Sequence, residues 1–133
     1  MSLEVEVLDA SLAAGRPDLP EEDEIVKLVS LAVATAGVRD GHVAIAFVDA
    51  ERIAALNAEH RGKEGPTDVL SFPIDEDDDV VAGPRELGDV VICPPHTESI
   101  REAIVHGALH LVGMDHETDD GEMLALQAEI LTW

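Results

Sequence analysis

The chain has 133 residues, 46% of them hydrophobic, which suits one domain over 1–133 with an ordinary buried core and no staples. Two Phe, one Trp and no Tyr mean that this core must be built from Val, Leu, Ile and Ala. Twenty-nine acidic against eight basic residues leave a formal charge of −21, which repels polyanions and excludes broad nonspecific binding to nucleic acid, DNA included.

Leu3, Val5 and Val7 alternate with polar residues and predict a half-buried strand over 3–8. Pro20 suits the first turn of a helix, and the acidic residues after it favour the positive end of the helix dipole. Ile25, Leu28, Val29 and Val33 form its apolar face, with Gly37 as a natural stop. A second strand is predicted over 42–48. Asp49 is placed to cap a helix carrying Ile53, Ala54 and Leu56, closed by Gly62. Residues 68–72 predict a third strand ended by Pro73. The run Asp75-Glu76-Asp77-Asp78-Asp79 that follows reads as a solvated loop, a divalent-cation site being the sharper alternative. A fourth strand runs from Leu87 to Cys93. The lone cysteine excludes an internal disulfide, fits a reducing compartment and reads as a small core residue.

Thr97 or Ser99 caps the next helix, Ser99 with Glu102 matching a capping box. Apolar on almost every side, this helix must be buried. A last helix is predicted over 120–131, with Leu124, Leu126 and Ile130 inward. The sum is an α+β layer pair: a mixed sheet of about four strands packed with about four helices, one of them rich in histidine. No apolar run approaches the ~18 residues a membrane span needs, and no basic-then-apolar leader is visible. The expected location is the cytoplasm.

That penultimate helix carries the strongest chemical signal. His106, His110 and His116 stand in the frame H-x-x-x-H-x-x-G-x-x-H. Histidines four apart share a helix face, and their rings can converge on one ion. Gly113 can end the helix and swing His116 back toward the pair. Three imidazoles with an open fourth position describe a catalytic zinc site, one Zn2+ per chain, better than a structural one. Metzincin proteases share this frame but place a glutamate after the first histidine. Gly107 stands there in this chain, so peptide hydrolysis lacks its general base.

The run from Asn57 to Pro73 (NAEHRGKEGPTDVLSFP), then Gly88-Asp89-Val90-Val91-Ile92, then the histidine motif, resembles the YbeY family along nearly the whole chain. These are bacterial rRNA maturation factors, regarded as metal-dependent single-strand endoribonucleases. The resemblance implies an α+β fold, zinc held by His106, His110 and His116, and Arg61 as a functional residue in the cleft. It implies ribosomal RNA and the ribosomal small subunit as partners, with processing of the small-subunit 3′ end. His60 and Met114 stand where the family usually has tyrosine, and the stretch between Cys93 and His106 is shorter than usual. That shortening bears on the wall of the cleft and not on the ligands.

A metal held by neutral imidazoles can bring the pKa of its water to about 7. Arg61 is the candidate catalytic cation, because a guanidinium grips phosphate through two parallel donors; as a plain helix-end charge it would also suit the helix dipole. Arg52, Arg61 and Lys63 together offer a local basic patch on an acidic chain. Asp115 could orient a histidine or merely close the turn. Thr67 and Asp68 could line the cleft or form a turn after Pro66. His60 is a possible substrate contact, and His42 and His96 read as incidental. Two readings stand: a zinc-dependent endoribonuclease acting on rRNA precursors, and a ribosome-associated assembly factor whose metal is mainly structural. The acidic composition leans somewhat toward the second.

Overall fold

A computed structural model describes residues 3–17, 19–35, 37, 41–73, 86–112 and 122–132, with backbone alone at 61, 73, 86 and 122–124. Four strands form one sheet in the order β1-β2-β4-β3. They are β1 (Leu3–Leu8), β2 (Gly41–Phe47), β3 (Val69–Pro73) and β4 (Glu86–Ile92). β1 and β4 flank β2 in parallel, while β3 runs antiparallel along β4. The helices are α1 (Glu22–Ala34), α2 (Ala50–Arg61), α3 (Ile100–Leu111) and α4 (Glu122–Ile130). The α+β class and the mixed four-stranded sheet predicted from the sequence are therefore observed.

Side chains alternate faces along a strand, and β4 uses both. Val90 and Ile92 join Val43, Ile45 and Phe47 of β2 in the main core, against Leu28, Val29 and Val33 of α1 and Ile104 and Leu109 of α3. Val91 and Cys93 face the other way, onto Leu70 of β3 and Ile53 of α2. The helices thus lie on both faces of the sheet, which corrects the expected single layer pair. The reason is that Val91, Cys93 and Leu70 form a second apolar surface, and α2 covers it.

Local signals account for most element ends. Asp49 accepts a hydrogen bond from the Arg52 backbone N–H at 2.8 Å and starts α2; Gly62, at φ 67°, closes it. Ser99, rather than Thr97, caps α3, accepting from the Glu102 N–H at 3.2 Å. Pro20 lies two residues before α1, and the helix stops at Ala34, before Gly37. Two short 3-10 turns, Ala10–Ala13 and Pro94–His96, were not anticipated. No described helix is long and apolar enough to cross a membrane. The acidic run 75–79 lies outside the described residues.

Candidate metal centre

α3 is seated on the sheet by what it lacks. Gly107 lies over the cross-strand pair of Ser71 and Val90, and an added Cβ would be 3.1 Å from Val90 Cγ2 and closer still to Cγ1. The Ser71 hydroxyl donates to the Gly107 carbonyl oxygen at 3.1 Å. With Ile104, Val105, Ala108 and Leu109 fully buried, the helix has one rotational setting, and it leaves His106 and His110 half-buried.

In that setting the two imidazoles meet edge to face, with ring centroids 4.8 Å apart and an interplanar angle of 74°. Two rings sharing a tetrahedral ion through bonds of roughly 2.0–2.1 Å need centres about 5 Å apart, so the pair is spaced to share one. The His106 Nδ1 is 2.8 Å from Gln127 Oε1 on α4. An amide oxygen only accepts, so Nδ1 carries the proton and, in the neutral ring, Nε2 carries the lone pair. That donor chemistry fits a zinc-type ion. His116, Gly113 and Asp115 lie outside the described residues. Among the described residues, no group of three His, Cys, Asp or Glu side chains could hold a metal.

Beside His106 opens a groove of about 230 Å³, whose lining includes Gln127, Thr97 and the carboxylate residues Asp68, Glu98 and Glu102. The connection between Cys93 and His106 supplies one wall. Arg16 holds that connection from outside the sheet, its guanidinium donating to the carbonyls of Pro94 at 2.6 Å and Thr97 at 3.0 Å. The Thr97 hydroxyl lies 2.6 Å from the Cys93 carbonyl and 3.2 Å from that of Asp68, which ties the connection to the start of β3. Asp68 also accepts from the Val69 N–H, opening the strand, so it serves both the turn and the groove.

A family model described as Endoribonuclease YbeY matches residues 20–133, which takes in α2, β3 and all three histidines. The chain belongs to this family. Endoribonuclease YbeY of Geobacillus thermodenitrificans (strain NG80-2) is 40% identical to it, over 83% of this chain and 84% of that protein. Its counterpart in Acinetobacter baylyi is 45% identical over 69% of each chain, and that of Alcanivorax borkumensis 32% over 92% and 78%. The resemblance drawn from the three motifs is therefore borne out at the level of the family.

Within the YbeY frame, Arg61 is the last residue of α2. Its neighbour His60 is exposed and packs edge-on against Phe72 of β3, ring centroids 4.8 Å apart. Phe72 and Ser71 point to opposite faces of that edge strand, and Ser71 touches α3 at Gly107. The α2 end and the histidine helix thus meet the same strand from its two sides. Arg52 and Lys63 are exposed. His42 pairs with Glu6 across β1 and β2 at 3.2 Å, far from the motif in sequence. Cys93 is fully buried, and burial pushes its thiol above the ordinary range, so it is a core residue. Gln127 and Ser71 were missed. Gln127 left a trace, a polar residue three before Ile130 on the inward face of the last helix.

Proposed function

We propose that this chain is a zinc-dependent endoribonuclease that cleaves single-stranded RNA during ribosomal RNA processing in the cytoplasm, including maturation of the small-subunit 3′ end. Membership of a family of endoribonucleases supports RNA cleavage, and the His106–His110 pair, 4.8 Å between ring centres, is the observation that supports the metal. His106, His110 and His116 would hold the ion. Bound there, zinc supplies a Lewis acid able to activate water near neutral pH. The residues of the chain do the rest. α3 carries the two imidazoles with ring centroids 4.8 Å apart, and the close approach of Gly107 to Val90 seats that helix on the sheet. Arg61 would meet the charge that develops on the phosphate oxygens, through a guanidinium that stays protonated at any working pH.

The test is cleavage by full-length protein stripped with a chelator and then resupplied with zinc. Cleavage of a single-stranded RNA that disappears on stripping and returns with zinc supports the reading, and cleavage indifferent to both steps contradicts it.

The acidic side chains favour a second reading. A charge of −21, with Asp68, Glu98 and Glu102 lining the groove, suits contact with ribosomal protein or with RNA already neutralised in a ribosome. The chain would then be a small-subunit assembly factor with a mainly structural metal. Zinc-loaded protein that binds small subunits but leaves RNA intact would select this reading.

A further inference from the structure

We infer that Gln127 is a positioning residue for the metal centre: by accepting the Nδ1 proton of His106 it fixes the tautomer and the ring plane in which Nε2 is the ligating nitrogen. This rests on the zinc reading proposed above.

Gln127 is a buried polar residue on a helix that otherwise packs by apolar contact. It is 9% exposed, and α4 is anchored through Leu126, Ile130 and Leu131 to the core that also holds α3. A buried amide costs free energy unless its polar atoms find partners, and Oε1 finds one at 2.8 Å in the His106 ring. The contact joins two elements far apart in sequence, so it forms only when α4 docks on α3.

The chemistry of the contact has one direction. An amide oxygen has no proton to give, so the imidazole must donate from Nδ1. Left to itself, a neutral imidazole distributes its proton between both nitrogens, and a ring protonated on Nε2 cannot present that atom to a metal. The Gln127 oxygen removes that choice and also pins the ring about its Cβ–Cγ bond. Metal-binding histidines commonly donate their second N–H to an oxygen acceptor, and loss of such a partner weakens metal binding about 10–100-fold. His110 stands one turn on and meets the His106 ring edge to face, so the plane set by Gln127 also sets the spacing of the pair.

The experiment uses full-length Gln127→Ala and Gln127→Glu proteins with two readouts. The first needs no metal: long-range 15N–1H correlation spectra of the stripped protein at about pH 8, above the ordinary histidine range, report which nitrogen of His106 is protonated. Wild type and Gln127→Glu should show the Nδ1–H tautomer, and Gln127→Ala a substantial Nε2–H population. The second is zinc affinity by competition with a chromophoric chelator. Gln127→Ala should bind about 10–100-fold more weakly, while Gln127→Glu, which keeps an acceptor oxygen, should bind as tightly as wild type or more so. An unchanged tautomer in Gln127→Ala overturns the inference whatever the metal does. So does a Gln127→Glu affinity as weak as that of Gln127→Ala, because the loss would then follow packing and not the acceptor. If wild type shows the Nδ1–H tautomer but takes up no zinc, the metal reading itself fails, and with it the role assigned to Gln127.

Discussion

Gly107 and Val90 are packed so closely that the position after the first histidine has no room for a side chain. The glutamate that metzincin proteases carry there would have to occupy the space of a fully buried valine. The absence of a protease base is therefore part of how α3 sits on the sheet. Gly107→Ala should gain about 1 kcal/mol in helix propensity yet lose about 1–3 kcal/mol to overpacking, since Val90 is β-branched and has no flexible end to move aside. Thermal or urea unfolding should show net destabilisation. Adding Val90→Ala to the variant should cost less than Val90→Ala costs in wild type, the signature of two residues in direct contact. A Gly107→Ala protein at least as stable as wild type would mean that the helix stands off the strand.

Arg61 can be separated from the metal. Arg61→Ala removes a cation at the C-terminal end of α2 while leaving the histidines and both apolar clusters in place. Zinc content should stay at wild-type level and stability within about 0.5 kcal/mol. RNA cleavage should fall on the order of 10²–10³-fold, the cost of one preorganised donor to a developing charge. Arg61→Lys should restore part of that loss, because an ammonium lacks the bidentate fork. Full cleavage in Arg61→Ala would reduce Arg61 to a helix-end charge.

Salt should act weakly. With eight basic residues on a chain of net charge −21, few phosphates can be neutralised at once. Contacts from Arg52, Arg61 and Lys63, at roughly 0.7 per phosphate for a single strand, give a slope of log affinity against log salt of about −2. Binding measured by fluorescence anisotropy across a salt series would read it, and a slope steeper than about −5 would require a basic surface well beyond these three side chains.

Cys93 makes a prediction about alkaline pH. Burial raises its thiol most, the His96 backbone hydrogen bond acts in the opposite sense, and the Asp49 charge adds a lesser rise. The folded state therefore prefers the protonated thiol. Its contribution is fully present below the unfolded-state range, about pH 8.5, and is lost as pH rises through the higher folded value. Thiol reagents at about pH 8 should leave native Cys93 unmodified and label it on unfolding. Prompt labelling of the native protein would contradict the burial.

Much of this was legible in the residues. Asp49, Gly62 and Ser99 announce their helix ends because a cap is a local interaction, and the alternation in β1 and the spacing of His106 and His110 are equally local. What could not be read is what only tertiary packing creates. Nothing near Val91 or Cys93 says that α2 will cover that side of the sheet. Nothing near residue 16 says that an arginine will hold carbonyls some eighty positions away. Asn57 falls in the stretch that carries the family resemblance with no role to read; its amide holds the Gly65 carbonyl at 2.9 Å and shapes the loop from α2 to β3. Gln127 belongs to the same class, a long-range partner whose meaning depends on His106.

The central claim, that histidines of α3 hold a metal on which RNA cleavage depends, is tested most directly by His110→Ala. Zinc per chain, measured by elemental analysis of the purified protein alongside cleavage of a single-stranded RNA, should fall from about one toward zero, because two imidazoles are too few for a stable site. Cleavage should vanish with it while the fold persists by circular dichroism. Equal zinc content and equal cleavage in wild type and His110→Ala would contradict the account.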